Sequence, residues 1–192
     1  MTKRAVFLHG TDGDPTHHWW PWLKQQFEQS GYEVWTPVLP NNHTPNRTEY
    51  WDFLTTKGWG FNDNVIVGHS SGATTVLNLL ARSEFPKVKA AVLVGAFLNQ
   101  NLTSKLSDFE TDQFAQLFPE EGFDLSIIKK KADSFYFVHG DNDGYCSYDD
   151  AVDASRALGG KMITVKNGGH LTSSYGTELP QLTDALAHDN IL

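Results

Sequence analysis

Asn64-Val65-Ile66-Val67-Gly68-His69-Ser70-Ser71-Gly72 decides the reading of this chain. An apolar, largely β-branched run ends in Gly-x-Ser-x-Gly. Beyond it Ala73, Val76, Leu77 and Leu80 fall at the i, i+3, i+4, i+7 spacing of a helix buried along one face. The stretch therefore predicts a strand that turns sharply into a helix, with Ser70 at the turn. A side chain at position 68 or 72 would collide with neighbouring backbone in so tight a reversal, which explains the bracketing glycines. The hydroxyl is then held at the tip of a sheet, and the Ser71 amide, at the positive end of the helix, is free to meet an anion. The plain alternative is a glycine-bracketed turn with a capping serine, so the rest of the chain must supply the chemistry.

Outward from this stretch, apolar runs alternate with helical patterns. Toward the N-terminus, Ala5-Val6-Phe7-Leu8 stops at His9-Gly10, as a strand buried on both faces would. Trp19, Trp22, Leu23 and Phe27 then mark a helix closed by Ser30-Gly31. Tyr32 to Leu39 reads as a second strand, and Asn46 with Glu49 as the N-terminal signal of a helix through Tyr50, Phe53 and Leu54. Toward the C-terminus come strands at Val88–Val94, Phe135–Val138 and Met162–Val165. A helix opened by Ser147 and Asp150 ends at Gly159-Gly160, and a last helix carries Leu182, Ala185 and Leu186. The segment from Phe97 to Lys131 breaks this rhythm. It has a helix expected at Asp124–Lys130 and scattered aromatics, Phe109, Phe114, Phe118 and Phe123, suited to a small cap or insert. The expectation is one α/β domain over residues 1–192: a doubly wound, mostly parallel sheet of about six strands in a three-layer α/β/α sandwich.

Composition narrows the function classes. With 192 residues, 40% of them hydrophobic, the chain can bury a sizeable core. Fifteen Lys+Arg against 23 Asp+Glu leave a net charge of -8, which disfavours nucleic acid and anionic membrane surfaces as partners. The apolar start is too short for a signal-peptide core, and no run of about 18 apolar residues is present to span a bilayer, so a cytoplasmic protein is expected. The single cysteine, Cys146, excludes an internal disulfide and argues against a cysteine metal cluster; it reads as a small packed side chain.

In a doubly wound sheet, ligands bind at the carboxyl ends of the strands, and the candidate residues all follow strands. A serine hydroxyl needs a base within hydrogen-bond reach and a third group to hold that base in one tautomer. His170, after Gly168-Gly169, is the candidate base and Asp143 the candidate orienting acid, with Asp141 a competitor better suited to the turn. The Ser71 amide and that of Thr11, in the loop after the first strand, are the candidate oxyanion donors. His9, Trp19, Trp20 and Trp22 are candidates to wall a substrate pocket, the tryptophans being equally at home in a core. His139, which like His9 ends a strand, is a weaker candidate for the same pocket; both fit a structural role better, as does His69. His17 and His18, adjacent and without an acid at ligand spacing, do not suggest a metal site, and no metal or cofactor is expected.

Gly68-His69-Ser70-Ser71-Gly72-Ala73, Gly168-Gly169-His170 and Trp20-Pro21-Trp22 after His9-Gly10 resemble the small serine hydrolases related to retinoblastoma-binding protein nine, with bacterial members of the YdeN type. The order Ser70, Asp143, His170 is that of the α/β-hydrolase plan, whose acid stands about three residues beyond a glycine such as Gly140. The resemblance implies an α/β-hydrolase core lacking the usual first two strands. It also implies a Ser70-Asp143-His170 triad acting through an acyl-enzyme, and carboxylesterase-like activity on a small acyl substrate, with thioesterase or aminopeptidase-like chemistry as the alternative bond. The Leu-x-Cys-x-Glu motif associated with retinoblastoma binding is absent around Cys146, so that partner is not supported. A catalytically dispensable binding module using the 97–131 segment is the rival class.

Overall fold

The computed structural model describes residues 2–99 and 113–192. Strands β1 (Lys3–Leu8), β2 (Tyr32–Trp35), β3 (Val65–His69), β4 (Val88–Val94), β5 (Ala132–Gly140) and β6 (Lys161–Val165) form one sheet in the order β2-β1-β3-β4-β5-β6. Every neighbouring pair is parallel. Between the strands lie α1 (Trp20–Gln29), α2 (Arg47–Thr56), α3 (Ser71–Leu80), α4 (Leu125–Ile128) and α5 (Tyr148–Leu158), and α6 (Pro180–His188) follows β6. Two 3₁₀ turns, Ala115–Leu117 and Lys129–Lys131, complete the described elements.

Strand alternation sorts the apolar residues into two layers. Val6, Leu8, Ile66, Leu93 and Phe137 face one side, packed with residues of α2, α3 and α5. Ala5, Phe7, Val65, Val92 and Val138 face the other, packed with α1 and α6. A sheet apolar on both faces must be covered on both, and the three layers follow. The helix starts obey the expected chemistry. The Asn46 side chain accepts the N–H groups of Thr48 and Glu49 at 2.9 and 3.1 Å, and Ser147 Oγ accepts the Asp150 N–H at 3.2 Å. Caps of this kind contribute about 1 kcal/mol each.

Two elements depart from the sequence expectation. The second strand ends at Trp35 instead of continuing to Leu39. It is an edge strand paired only with β1, Pro37 has no N–H to give, and the Leu39 N–H bonds the His9 ring instead. The helix expected over 124–130 is a single α-turn, capped by Asp124 and tightening into the 3₁₀ turn of Lys129–Lys131. Of the 97–131 segment, residues 100–112 lie outside the described residues, Phe109 among them. Phe97, Phe114, Leu117, Phe118 and Cys146 form a separate small apolar cluster. It is tied to α3 by the Thr74 hydroxyl on the Phe97 carbonyl (2.7 Å) and the Asn78 amide on the Leu117 carbonyl (2.8 Å).

The strand order reverses between β1 and β3, and in open α/β sheets the ligand crevice opens at such a switch, beyond the carboxyl ends. Register sets the relevant ends level: His69 pairs with Val94, and Val94 with Val138. The turn after β3 fits only without side chains at its bracketing positions. A Cβ on Gly68 would sit 2.6 Å from the Ala73 Cα, and one on Gly72 would sit 2.7 Å from the Leu8 carbonyl carbon. Gly72→Ala should therefore lower stability by at least about 3 kcal/mol, because the clash is with backbone that cannot repack. Urea denaturation of the variant against wild type measures it.

Candidate active site

Ser70 sits at the junction of β3 and α3 with φ 57° and ψ −126°, a conformation rare for a residue with a side chain. Such strain costs of order 1–3 kcal/mol and persists where the surroundings enforce it. Here they do: the Ser70 N–H bonds the Val94 carbonyl at 2.8 Å, and the Ser70 carbonyl accepts from Ala73 and Thr74. The strain aims Oγ away from the helix, toward His170. Its hydroxyl lies 2.9 Å from His170 Nε2, and His170 Nδ1 donates to Asp143 Oδ2 at 2.8 Å. Three side chains separated by up to 100 positions thus form one continuous hydrogen-bonded line. Asp141, the competing acid, does not join it; its Oδ1 instead accepts the Asn167 N–H at 2.7 Å.

Asp143 and His170 have side chains 1% and 10% exposed, so the line is nearly dry. Burial pushes the Asp143 carboxyl up. The hydrogen bond and charge of His170, with the N–H groups of Tyr145 (2.8 Å) and Cys146 (3.1 Å) on Oδ1, outweigh that and hold it below the ordinary carboxylate value. The carboxylate is therefore ionised at neutral pH and keeps the Nδ1–H tautomer of His170, which turns the Nε2 lone pair to Ser70. Ser71 is the first residue of α3, so its N–H precedes the intrahelical ladder. The Thr11 hydroxyl bonds Ser71 Oγ at 2.9 Å, which locks the loop after β1 against this helix start and brings the two candidate oxyanion residues side by side.

The four candidate pocket residues are committed to packing and to loop contacts. His9 is buried, with Nδ1–H on the Gly10 carbonyl (2.8 Å) and Nε2 accepting the Leu39 N–H (2.9 Å), so both nitrogens are committed to holding loops together. Trp20 is buried in the core beneath α1, stacked on Phe7 at 5.6 Å, and Trp22 packs against the same cluster. Trp19 is fully buried as well, its indole N–H bonding the Leu171 carbonyl at 2.9 Å. The buried face of α1 faces the sheet, Trp22 is partly buried at its edge, and Trp19, just before α1, packs its ring on His69 at 5.8 Å. The rings against His170 are instead Tyr145, His69 and Phe97, with centroids at 5.1, 5.1 and 6.0 Å.

What sequence reasoning missed is the set of groups that fix the His170 loop. His69 Nε2–H donates to the His170 carbonyl at 2.8 Å, Trp19 holds the next carbonyl, and Asn142 Oδ1 accepts the Gly169 N–H at 2.7 Å. These partners are from 27 to 152 positions away along the chain, and only the residue types, all capable of one long-range bond, hinted at them. Full burial pushes the His69 pKa down to about 3, a shift that the neighbouring His170 deepens and the bond to the His170 carbonyl opposes.

Comparison with known proteins gives the family and the fold. Residues 5–188 match the family described as serine hydrolase. The chain belongs to the serine hydrolase family. YdeN of Bacillus subtilis is 25% identical over 189 residues, covering 97% of this chain and 95% of YdeN. Serine hydrolase RBBP9 of Rattus norvegicus is 23% identical over 186 residues, covering 95% of each. The crystal structure of the ydeN gene product superposes with a TM-score of 0.84 at 22% identity, covering 97% of this chain and 98% of that one. The carboxylesterase CesB from Bacillus subtilis shares the fold at TM-score 0.67 and 16% identity, covering 98% of this chain and 83% of CesB. The α/β-hydrolase fold expected from the motif order is thus the fold of this family member. Among the described residues no helix is long and apolar enough to cross a membrane.

The buried histidines dictate an acid sensitivity. His69 has a folded pKa near 3 against an ordinary 6.5, so between these values the unfolded chain takes a proton that the folded protein refuses. Stability should fall as pH drops through that window, by up to about 1.4 kcal/mol per pH unit from His69 alone. His9 and His139, also lowered chiefly by burial, add in the same direction. His69→Gln keeps an N–H for the His170 carbonyl but cannot titrate. Urea midpoints from neutral to about pH 4 should therefore decline less steeply in this variant than in wild type.

Proposed function

We propose that this serine hydrolase family member cleaves small, uncharged acyl esters through a Ser70-His170-Asp143 triad and a covalent acyl-enzyme. The observation that carries the reading is the unbroken line from Ser70 Oγ to Asp143 Oδ2, with bonds of 2.9 and 2.8 Å. In the first half-reaction Ser70 Oγ attacks the carbonyl carbon while its proton passes to His170 Nε2. Asp143 stabilises the imidazolium that results, without itself taking a proton. The carbonyl oxygen becomes an oxyanion, which the amides of Ser71 and Thr11 receive; one such donor is worth on the order of 3 kcal/mol of barrier. His170 then returns the proton to the departing alkoxide, and the alcohol leaves. Water repeats the sequence on the acyl-enzyme, with His170 as base, and releases the acid.

The choice of ester rests on the walls around the imidazole. Tyr145, 45% exposed, offers apolar ring surface beside the imidazole, with Phe97 buried behind it, which suits a neutral acyl group more than a charged one. Several solved neighbours in fold are themselves esterases by name, CesB included, in keeping with this reading. A thioester or short peptide would use the same three residues, and the pocket alone decides among them. A chain-length series of nitrophenyl esters beside acyl thioesters and aminoacyl amides ranks the bonds, and kcat/KM should be highest for the short esters.

A fluorophosphonate probe should label wild type at Ser70 and leave Ser70→Ala unlabelled. A folded wild type that does not react, or a Ser70→Ala variant that does, contradicts the proposal. Turnover should drop by roughly 10⁴- to 10⁶-fold in Ser70→Ala and His170→Ala. Asp143→Asn should lose roughly 10⁴-fold, because an amide favours the wrong His170 tautomer.

A further inference from the structure

Two strand exits in this chain carry the same dipeptide, and they are treated differently. At His9-Gly10 and at His139-Gly140 the ring Nδ1–H bonds the carbonyl of the following glycine, at 2.8 and 2.9 Å. That bond fixes the tautomer and leaves Nε2 as a bare lone pair that needs a donor. At His9 the Leu39 N–H supplies it. At His139, 1% exposed, Nε2 has no hydrogen-bond partner among the described residues. It faces Asp143 Oδ2 at 3.9 Å, a lone pair opposite a carboxylate. Two acceptors held face to face in a low-dielectric interior are unfavourable unless something positive lies between them. A third donor atom joins them: His139 Nε2, an Asp143 carboxylate oxygen and Cys146 Sγ all lie within 4.8 Å of one another. His170 Nδ1 stands beside this group, 2.8 Å from Asp143 Oδ2 and 3.9 Å from Cys146 Sγ.

We propose that His139, Asp143 and Cys146 form an inhibitory site for a thiophilic divalent cation, with zinc as the fitting ion and His170 Nδ1 as its fourth ligand. The donor set decides the metal class: imidazole nitrogen, carboxylate oxygen and thiolate sulfur suit zinc and exclude magnesium or calcium as good fits. With zinc bonds of about 2.0–2.3 Å, tetrahedral ligand atoms stand roughly 3.3–3.8 Å apart. The present spread of up to 4.8 Å therefore closes with shifts of about an ångström in the side chains. Tyr145, 45% exposed, packs its ring 5.1 Å from that of His170 and is the exposed residue next to this group.

On binding, the Cys146 thiol gives up its proton to solvent together with its bond to the Gly95 carbonyl, 3.1 Å away. Thiolate and carboxylate then balance the two positive charges of the ion. The His170 ring stays neutral, but its proton moves from Nδ1 to Nε2, which now presents an N–H to Ser70. The serine has lost its base, and the carboxylate that oriented the base is occupied. This effect on activity rests on the triad reading, whereas the site itself does not.

The test separates the two. Metal-free wild-type protein in thiol-free buffer is titrated with Co2+, and a thiolate-to-cobalt charge-transfer absorption with tetrahedral d–d bands is expected, discharged by Zn2+ and missing in Cys146→Ser. This reading needs no activity and no variant. In parallel, Zn2+ should slow fluorophosphonate labelling of Ser70 at least about tenfold, reversibly with EDTA, and Cys146→Ser and His139→Phe should each raise the inhibitory concentration by about 100-fold or more, beyond what loss of a supporting contact alone produces. Cys146→Ser keeps a hydroxyl for the Gly95 carbonyl, so it preserves the local fold. Absence of the thiolate band in wild type overturns the site, as does zinc inhibition unchanged in both variants. If the metal-free protein is not labelled at all, the hydrolase reading fails while the cobalt spectrum still judges the cation site.

Discussion

The structure depends on how closely the start of α3 approaches β1. Gly72 rests against the carbonyls of Leu8 and His9, nearer than any side chain permits, and Gly68 rests against the backbone of Ala73 in the same way. Once the backbone is this close, the chain between the two glycines has no freedom left. Ser70 takes a positive φ, its hydroxyl leaves the helix axis, and the Ser71 N–H is offered at the positive end of a ten-residue helix. The same approach places the loop after β1 beside the helix start, where Thr11 and Ser71 bond through their hydroxyls. The candidate nucleophile and the candidate oxyanion donors are thus consequences of one packing constraint.

The other half of the site is built by a different device. His170 lies in a loop after β6, outside the regular hydrogen bonding of any strand or helix. Its backbone is gripped instead: Asn142 takes the N–H before it, His69 its own carbonyl, and Trp19 the carbonyl after it. Leu171, at φ 54° and fully buried, anchors the loop in the core. Three hydrogen bonds from three different elements over-determine the loop, so the ring is positioned before any ligand arrives. Preorganisation of this kind is what lets fixed dipoles lower a barrier without reorganising at the moment of reaction.

Charge is managed by the same economy. Asp143 is kept ionised by His170 and two backbone N–H groups against the effect of burial. The surrounding histidines, His69, His9 and His139, are kept neutral by burial, so none of them brings a positive charge to that carboxylate at neutral pH. His139 is the exception in bonding, its Nε2 without a donor beside Asp143. A place where the pattern of satisfied polar groups fails, next to the acid of the proposed triad, is where an additional ligand is to be sought.

The sequence by itself determined the alternation of strands and helices, the β3–α3 turn and the order in which Ser70, Asp143 and His170 follow their strands. Each of these is local: periodicity, glycine bracketing and capping residues act over a few positions, and a parallel sheet then carries its strand ends to one rim. Composition left open what long-range packing alone resolves. Trp19, Trp20 and Trp22 read equally as core or pocket wall, and only the placement of α1 against the sheet buried the first two and left Trp22 half-buried. The second strand looked continuous to Leu39, yet the Leu39 N–H was taken by His9, from a strand 30 positions earlier. The clamps on His170, and the meeting of His139 with Cys146 around Asp143, join groups on different elements. A single hydrogen bond or lone pair leaves no period in a sequence, so these were decided by the tertiary structure.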